Sequence, residues 1–276
     1  MKIVDGKAIA QALRAQLKAK IENSGIIPGL AVVIVGNDPA SQIYVRNKIR
    51  ACEEIGVRSY SYELPATSSQ ADLESLLDAL ASDEKVHGIL LQLPLPKHLN
   101  AESAMAHIPV QKDVDGFSAE HLGLLVLHQE RIVACTPLGV MKILEYEGVE
   151  LRGKNAVVVG RSDTVGKPMA MLLLNADATV TVCHSKTKNL QEICKNADII
   201  VAAVGKPKFI TAEMVKDGAV VIDVGINRDE NGKLCGDVDF ENVKEKASLI
   251  TPVPGGVGPM TITMLMYNTC LAAFKE

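Results

Sequence analysis

The chain has 276 residues, 47% of them hydrophobic and 22% charged, with a formal net charge of -4. At roughly 150 residues per domain this length suggests two domains, each with ample material for a core. The mildly acidic balance, with neither a basic stripe nor a polybasic run, argues against nucleic acid and membrane surfaces as partners and favours small-molecule work.

Short apolar, β-branched runs alternate with helical patterns along the whole chain. GLAVVIVG (29–36) reads as a strand. Asp38 and Pro39 then look like an N-cap and a first helical position, and Gly56 like a stop, with Val45, Ile49, Cys52 and Ile55 at helical spacing between them. Residues 39–55 are therefore predicted to form one amphipathic helix, and on it Tyr44 and Lys48, four residues apart, share a face near the edge of the apolar stripe. For an arbitrary helix the bland reading, a lysine stem packed on a tyrosine ring, is favoured.

RSYSYELP (58–65) and VHGILLQLPLP (86–96) are the next strands. The two prolines after Gln92 cannot continue a central ladder, so Gln92 is expected at the carboxyl edge of a sheet, where ligands of open α/β sheets bind. KDVDGF (112–117) puts two acids on a turn. A loop-like stretch and a helix near TPLGVMKILEYEG follow, which sets a domain boundary near residue 120. NAVVVG, ATVTVCH, ADIIVAAVG and GAVVIDVG supply four more strands, and the Pro/Gly-rich TPVPGGVGP leads into the apolar helix MTITMLMYNTCLAAF, expected to return to the first domain. Continuous apolar strands separated by helices imply parallel sheets buried on both faces. The fold class is α/β, as two α/β domains: 1–120 with 256–276, and 121–255, the second of Rossmann type, with a cleft between them.

The stretch 154–185 has the order strand, glycine turn, helix, strand of a dinucleotide-binding unit, with Gly160 at the strand end and Gly166 opening the helix. Ser162 stands where the usual fingerprint has its second glycine. An NAD site carries an acid roughly 20 residues after the turn. Here residues 183–188 read CHSKTK, with Ser185, Lys186 and Lys188 as donors and Arg161 in the turn, so a 2′-phosphate is welcomed and NADP is the expected cofactor. The plainer reading is a set of solvated loop cations.

The six cysteines (Cys52, Cys135, Cys183, Cys194, Cys235, Cys270) show no C-x-x-C spacing, as expected of reduced, buried thiols, and the six histidines never fall at H-x-x-x-H, so no metal is expected. No apolar run is judged long enough to span a bilayer and the N-terminus lacks an apolar signal core, so a soluble, cytoplasmic protein is expected.

SQIYVRNK (41–48), QLPLP (92–96), KDVDGF (112–117), TPLG (136–139), GRSDTVGKP (160–168) and PGGVGPMTI (254–262) together resemble the bifunctional methylenetetrahydrofolate dehydrogenase/cyclohydrolase family, in family order across nearly the whole chain. The resemblance implies oxidation of methylenetetrahydrofolate by NADP to the methenyl cation, then hydrolysis to formyltetrahydrofolate, with tetrahydrofolate derivatives as ligands and a homodimer as the assembly. It makes Lys48 the central catalytic residue, Tyr44 a pocket aromatic near the folate, Gln92 the partner of Lys48, and Asp115 the pterin anchor. A pterin edge offers an exocyclic amine and a ring N–H side by side, which one carboxylate can accept together. Asp113 is expected to point away or cap the turn. A cationic product disfavours a charged neighbour, so a partly desolvated Lys48 that helps to activate water, oriented by Gln92, is the expected arrangement. Cofactor contacts are expected from Gly160, Arg161, Ser162, Val165, Gly166, Ser185, Thr136, Pro137 and Ile226, and substrate contacts also from Pro254, Gly255 and Gly256, where glycines allow close backbone approach. The alternatives are a monofunctional folate dehydrogenase, an amino-acid-dehydrogenase-like enzyme on the same fold, and a silent nucleotide-binding scaffold.

Overall fold

All seven apolar runs read as strands form parallel strands, and the elements between them are mostly helical. The computed structural model describes residues 1–274; the side chains of residues 39–41, 43 and 44 lie outside that description. In chain order the elements are β1 (Lys2–Ile3), α1 (Gly6–Ser24), β2 (Gly29–Val35), α2 (Pro39–Ile55), β3 (Arg58–Leu64), α3 (Gln70–Ser82), β4 (Gly88–Leu91), α4 (Ala101–Ala106), α5 (Ala119–Val126) and α6 (Cys135–Tyr146). Then come β5 (Asn155–Val159), α7 (Gly166–Asn175), β6 (Thr179–Cys183), α8 (Leu190–Lys195), β7 (Ile199–Ala202), β8 (Val220–Asp223), the antiparallel hairpin β9 (Asn227–Arg228) and β10 (Leu234–Cys235), α9 (Phe240–Val243), β11 (Leu249–Ile250) and α10 (Val257–Phe274).

The chain divides into two compact units, Ala12–Leu124 with Glu130–Val133 and Ile262–Glu276, and Met1–Gln11 with Leu125–Gln129 and Ala134–Thr261. These limits differ from the expected breaks near 120 and 256. Residues 1–11 also group with the second set of strands, because β1 pairs in parallel with β11. A two-residue strand has no periodicity to read.

The first unit is built on a parallel sheet in the order β3-β2-β4. Every residue of the central strand β2 is buried, which is why its sequence is a continuous apolar run and not an alternating one. Val33, Ile89 and Leu91 form one core with Leu73, Leu77 and Leu80 of α3. A capping box starts α3, with Ser69 and Asp72 each satisfying the other's backbone N–H.

In the second unit six parallel strands run in the order β1-β11-β8-β7-β5-β6. The chain leaves β5 for β6 on one side and returns to β7 on the other, so the sheet has its topological switch point at the carboxyl end of β5.

One expectation is corrected. The 18-residue α10, with a mean hydropathy of 1.2, is long and apolar enough to cross a membrane by length and composition. It reads instead as a core helix, because Thr263, Asn268 and Thr269 are buried on it. The Asn268 Nδ2 group donates to the carbonyls of Val114 and Val133, 2.9 Å each, and Cys52 Sγ lies 3.4 Å from Met266 Sδ.

Candidate functional site

In the first unit a polar group gathers at the carboxyl end of β4. Gln92 follows the last residue of that strand, and its N–H still donates to Val33 of β2 at 2.8 Å, so its side chain leaves from the last rung of the ladder. Lys48, half-buried on α2, donates from Nζ to Gln92 Oε1 at 3.0 Å. Gln92 Nε2 donates to the Leu93 carbonyl at 2.7 Å. With its nitrogen so engaged, the amide presents its oxygen to Lys48. Tyr44 belongs to α2, but its side chain lies outside the described residues.

The acids of KDVDGF divide their work. Asp113 is buried and caps the turn, accepting from the Gly116 N–H at 3.2 Å and the Ser118 N–H at 2.8 Å. It also bridges to Ile89 of β4, which ties the turn to the sheet. Asp115 is half-buried, and burial pushes its carboxyl up to about 6; the Lys48 charge opposes this and the Asp113 charge adds to it, both more weakly. Lys48, Gln92 and Asp115 are thus linked by one hydrogen bond and one charge interaction. Sequence reading missed Asn268, which holds the carbonyl of Val114 beside Asp115 and sits 153 positions further along the chain.

The second unit carries a cavity of about 440 Å³ at its switch point, lined by Val159 at the end of β5 with Gly160 and Arg161 after it, by His184, Ser185 and Thr187 after β6, and by Ala203, Val204 and Lys206 after β7. Gly160 has φ +131°, and a Cβ there would lie 2.1 Å from the Ala203 carbonyl oxygen. A Cβ on Gly166 would meet the Gly160 carbonyl oxygen at 2.4 Å, so the turn from β5 into α7 closes only with glycine at both positions. Ser162 Oγ accepts from the N–H groups of Val165 and Gly166, at 3.2 and 3.3 Å, and so engages the backbone N–H groups where the turn enters α7.

Among the expected cofactor residues, Gly160, Arg161 and Ser185 line this cavity, while Ser162, Val165 and Gly166 shape the turn beside it. Lys186 and Lys188 are exposed and are not part of the lining. Thr136 lies in the first turn of α6 with its hydroxyl 2.9 Å from that of Thr261, and Pro137 is buried there, where its missing N–H needs no partner. Ile226 is 54% exposed beyond the end of β8. Pro254, Gly255 and Gly256 precede α10, and the Gly256 N–H donates to the Pro252 carbonyl at 2.9 Å. None of these last six lines the cavity. Sequence reading missed His184, Thr187, Lys206 and Phe209. The motif HSKT could have offered Thr187, whose hydroxyl accepts from the His184 N–H at 2.9 Å; the loop after β7 carries no comparable signal.

No carboxylate is among the lining residues, and Arg161 and Ser185 are. An open glycine turn at a helix start with cationic and hydroxyl donors fits a phosphorylated dinucleotide.

A family model for the tetrahydrofolate dehydrogenase/cyclohydrolase catalytic domain matches residues 4–115, and one for the NAD(P)-binding domain of the same family matches residues 134–276. A bifunctional protein FolD from Campylobacter concisus is 58% identical over 276 residues, covering 99% of this chain and 98% of that protein. The crystal structure of the bifunctional FolD dehydrogenase/cyclohydrolase from Campylobacter jejuni superposes with a TM-score of 0.97 at 49% identity, covering 100% of this chain and 99% of that one. The Trypanosoma brucei enzyme, solved with NADP cofactor and inhibitor, has a TM-score of 0.93 at 42% identity, with 99% and 97% covered.

Proposed function

Because the chain belongs to the tetrahydrofolate dehydrogenase/cyclohydrolase family, we propose that the group formed by Lys48, Gln92 and Asp115 is where its folate chemistry takes place. The protein is an NADP-dependent methylenetetrahydrofolate dehydrogenase and methenyltetrahydrofolate cyclohydrolase. It oxidises 5,10-methylenetetrahydrofolate to the 5,10-methenyl cation and hydrolyses that cation to 10-formyltetrahydrofolate. The observation that carries the assignment of the site is the 3.0 Å hydrogen bond from Lys48 to Gln92 beside the perturbed Asp115.

Water that adds to the methenyl carbon must lose a proton, and Lys48 in its free-amine form, the form that has a lone pair, is our candidate to accept it. One hydrogen bond to Gln92 fixes the direction of Nζ, and the engaged Gln92 amide keeps that acceptor from rotating away. Asp115 is assigned to the pterin edge, accepting from its amine and ring N–H. Its carboxyl is ionised above about 6, so it accepts at neutral pH and protonates as the pH falls through that value. Tyr44 is assigned to the folate pocket, and Pro254, Gly255 and Gly256 to a backbone approach to the substrate.

NADP, when bound, supplies the hydride acceptor. Gly160, Ser162, Val165 and Gly166 are assigned to its pyrophosphate, Arg161 and Ser185 to its 2′-phosphate, and Thr136, Pro137 and Ile226 to its remaining contacts. A homodimer formed through the second unit is also proposed, supported by the edge position of β6 and its exposed Val182. A cytoplasmic setting is proposed because none of the six cysteines, all within the described residues, forms a disulfide.

The cofactor assignment is tested with methylenetetrahydrofolate and either NADP or NAD, following reduced cofactor by absorbance. Wild type is expected to prefer NADP, and Arg161→Ala to lose that preference by about tenfold or more, as loss of a charged phosphate contact implies. An unchanged NADP/NAD ratio in Arg161→Ala contradicts it.

A further inference from the structure

Two buried acids of the second unit have no part in the chemistry above. Asp223 ends β8 and is 2% exposed; Asp237 follows the β9–β10 hairpin and is 0% exposed. Each lies against a glycine one or two residues from the other. A Cβ on Gly236 would sit 1.9 Å from Asp223 Oδ2, and a Cβ on Gly225 would sit 2.3 Å from Asp237 Cγ. The sequences D-V-G (223–225) and G-D-V (236–238) are therefore the two halves of one interlocked unit.

Their hydrogen bonds run in a definite direction. Asp223 Oδ1 accepts from the N–H groups of Gly225 and Asp237, at 3.0 and 2.9 Å, and Oδ2 from Val238 at 2.9 Å. Asp223 thereby fixes the backbone that carries Asp237. Asp237 Oδ2 in turn accepts from the N–H groups of Val204 and Gly205, at 2.6 and 3.0 Å. Its Oδ1 accepts from the Lys206 N–H at 2.9 Å and from Asn227 Nδ2 at 2.8 Å. Three consecutive N–H groups of one loop thus end on one carboxylate, and that loop supplies Val204 and Lys206 to the 440 Å³ cavity.

We propose that Asp237 is a positioning residue for the dinucleotide: it clamps residues 204–206 as a preformed wall of the cavity, with Asp223 holding the clamp, and so sets NADP affinity without touching the cofactor. The loop has no strand or helix of its own to hold it, and a carboxylate can accept from several donors at once, which no neutral side chain of that size can match. The inference rests on reading the cavity as the NADP site.

The test uses the full chain and two readouts: the NADP dissociation constant, and the cofactor-independent hydrolysis of methenyltetrahydrofolate. Asp237→Asn must turn an amide NH₂ toward at least two N–H donors, and is expected to weaken NADP binding by about tenfold or more with methenyl hydrolysis unchanged. Asn227→Ala, which removes one donor and leaves the loop bonds in place, is the milder variant and is expected to weaken NADP about threefold. Arg161→Ala serves as the control for the cavity itself. If Arg161→Ala weakens NADP and both clamp variants bind it as wild type does, the clamp is overturned and the cavity stands. If Arg161→Ala has no effect, the reading of the cavity fails first. Should Asp237→Asn fail to fold, Asn227→Ala decides: unchanged affinity overturns the proposal and weakened affinity with intact hydrolysis supports it.

Discussion

Replacing Asp115 by asparagine removes a charge that burial penalises, so the variant is predicted to be the more stable protein at neutral pH and the poorer enzyme. The Asp115 carboxyl is raised from 3.8 to about 6, chiefly by burial, against the weaker pull of Lys48. Because the folded value lies above the unfolded one, the folded chain binds this proton more tightly between the two. Stability from this group is therefore lost as the pH rises from about 4 to about 6, and the full cost is carried above that. About two pH units correspond to about 3 kcal/mol, and the partial solvent access of Asp115 reduces this to about 1–2 kcal/mol. For a chain of this size the gain in Asp115→Asn is a Tm higher by about 2–8 °C. The assay is thermal unfolding of the ligand-free proteins at about pH 7.5 and about pH 4, where the advantage is predicted to be present and absent respectively. A variant no more stable at the higher pH, or equally stabilised at both, rules out a burial penalty on the Asp115 charge. In the same variant the folate KM is expected to rise by about tenfold or more, through loss of the charge-assisted pair.

Two further substitutions probe the supports of the two sites. Gly160→Ala forces a Cβ to 2.1 Å from the Ala203 carbonyl oxygen, so NADP-dependent oxidation is expected to fall by about tenfold or more while hydrolysis of added methenyltetrahydrofolate continues; parallel assays of the two reactions check this. Asn268→Ala leaves the Val114 and Val133 carbonyls without the donor they share and is expected to cost about 1–3 kcal/mol in urea unfolding, with a raised folate KM because Val114 precedes Asp115.

Strands such as GLAVVIVG and NAVVVG were legible because both faces of a parallel sheet are covered, and burial then writes itself as an unbroken apolar run. The helix at 39–55 and the place of Gln92 followed from a cap, a stop and two prolines, which are local signals. What stayed hidden depends on topology. β1 and β11 are two residues each and exist only because they pair with each other and with β8. PGGVG read as loop throughout, yet α10 begins at Val257 within it. Lys206 and Phe209 reach the cavity only because β7 lies beside β5, and nothing in their own neighbourhood announces it. Asp223 and Asp237 are ordinary acids in the sequence, and the carboxylate-to-glycine contacts that join them become visible only when the hairpin between them folds back.

For the hydrolytic step, the proton-accepting role is the one proposed for Lys48. It is tested most directly by adding methenyltetrahydrofolate to wild type and to Lys48→Met, without NADP, and following the loss of methenyl absorbance. Wild type is expected to clear the compound rapidly and Lys48→Met only at the spontaneous rate, in protein that still shows a cooperative unfolding transition. Clearance by Lys48→Met at the wild-type rate would contradict it.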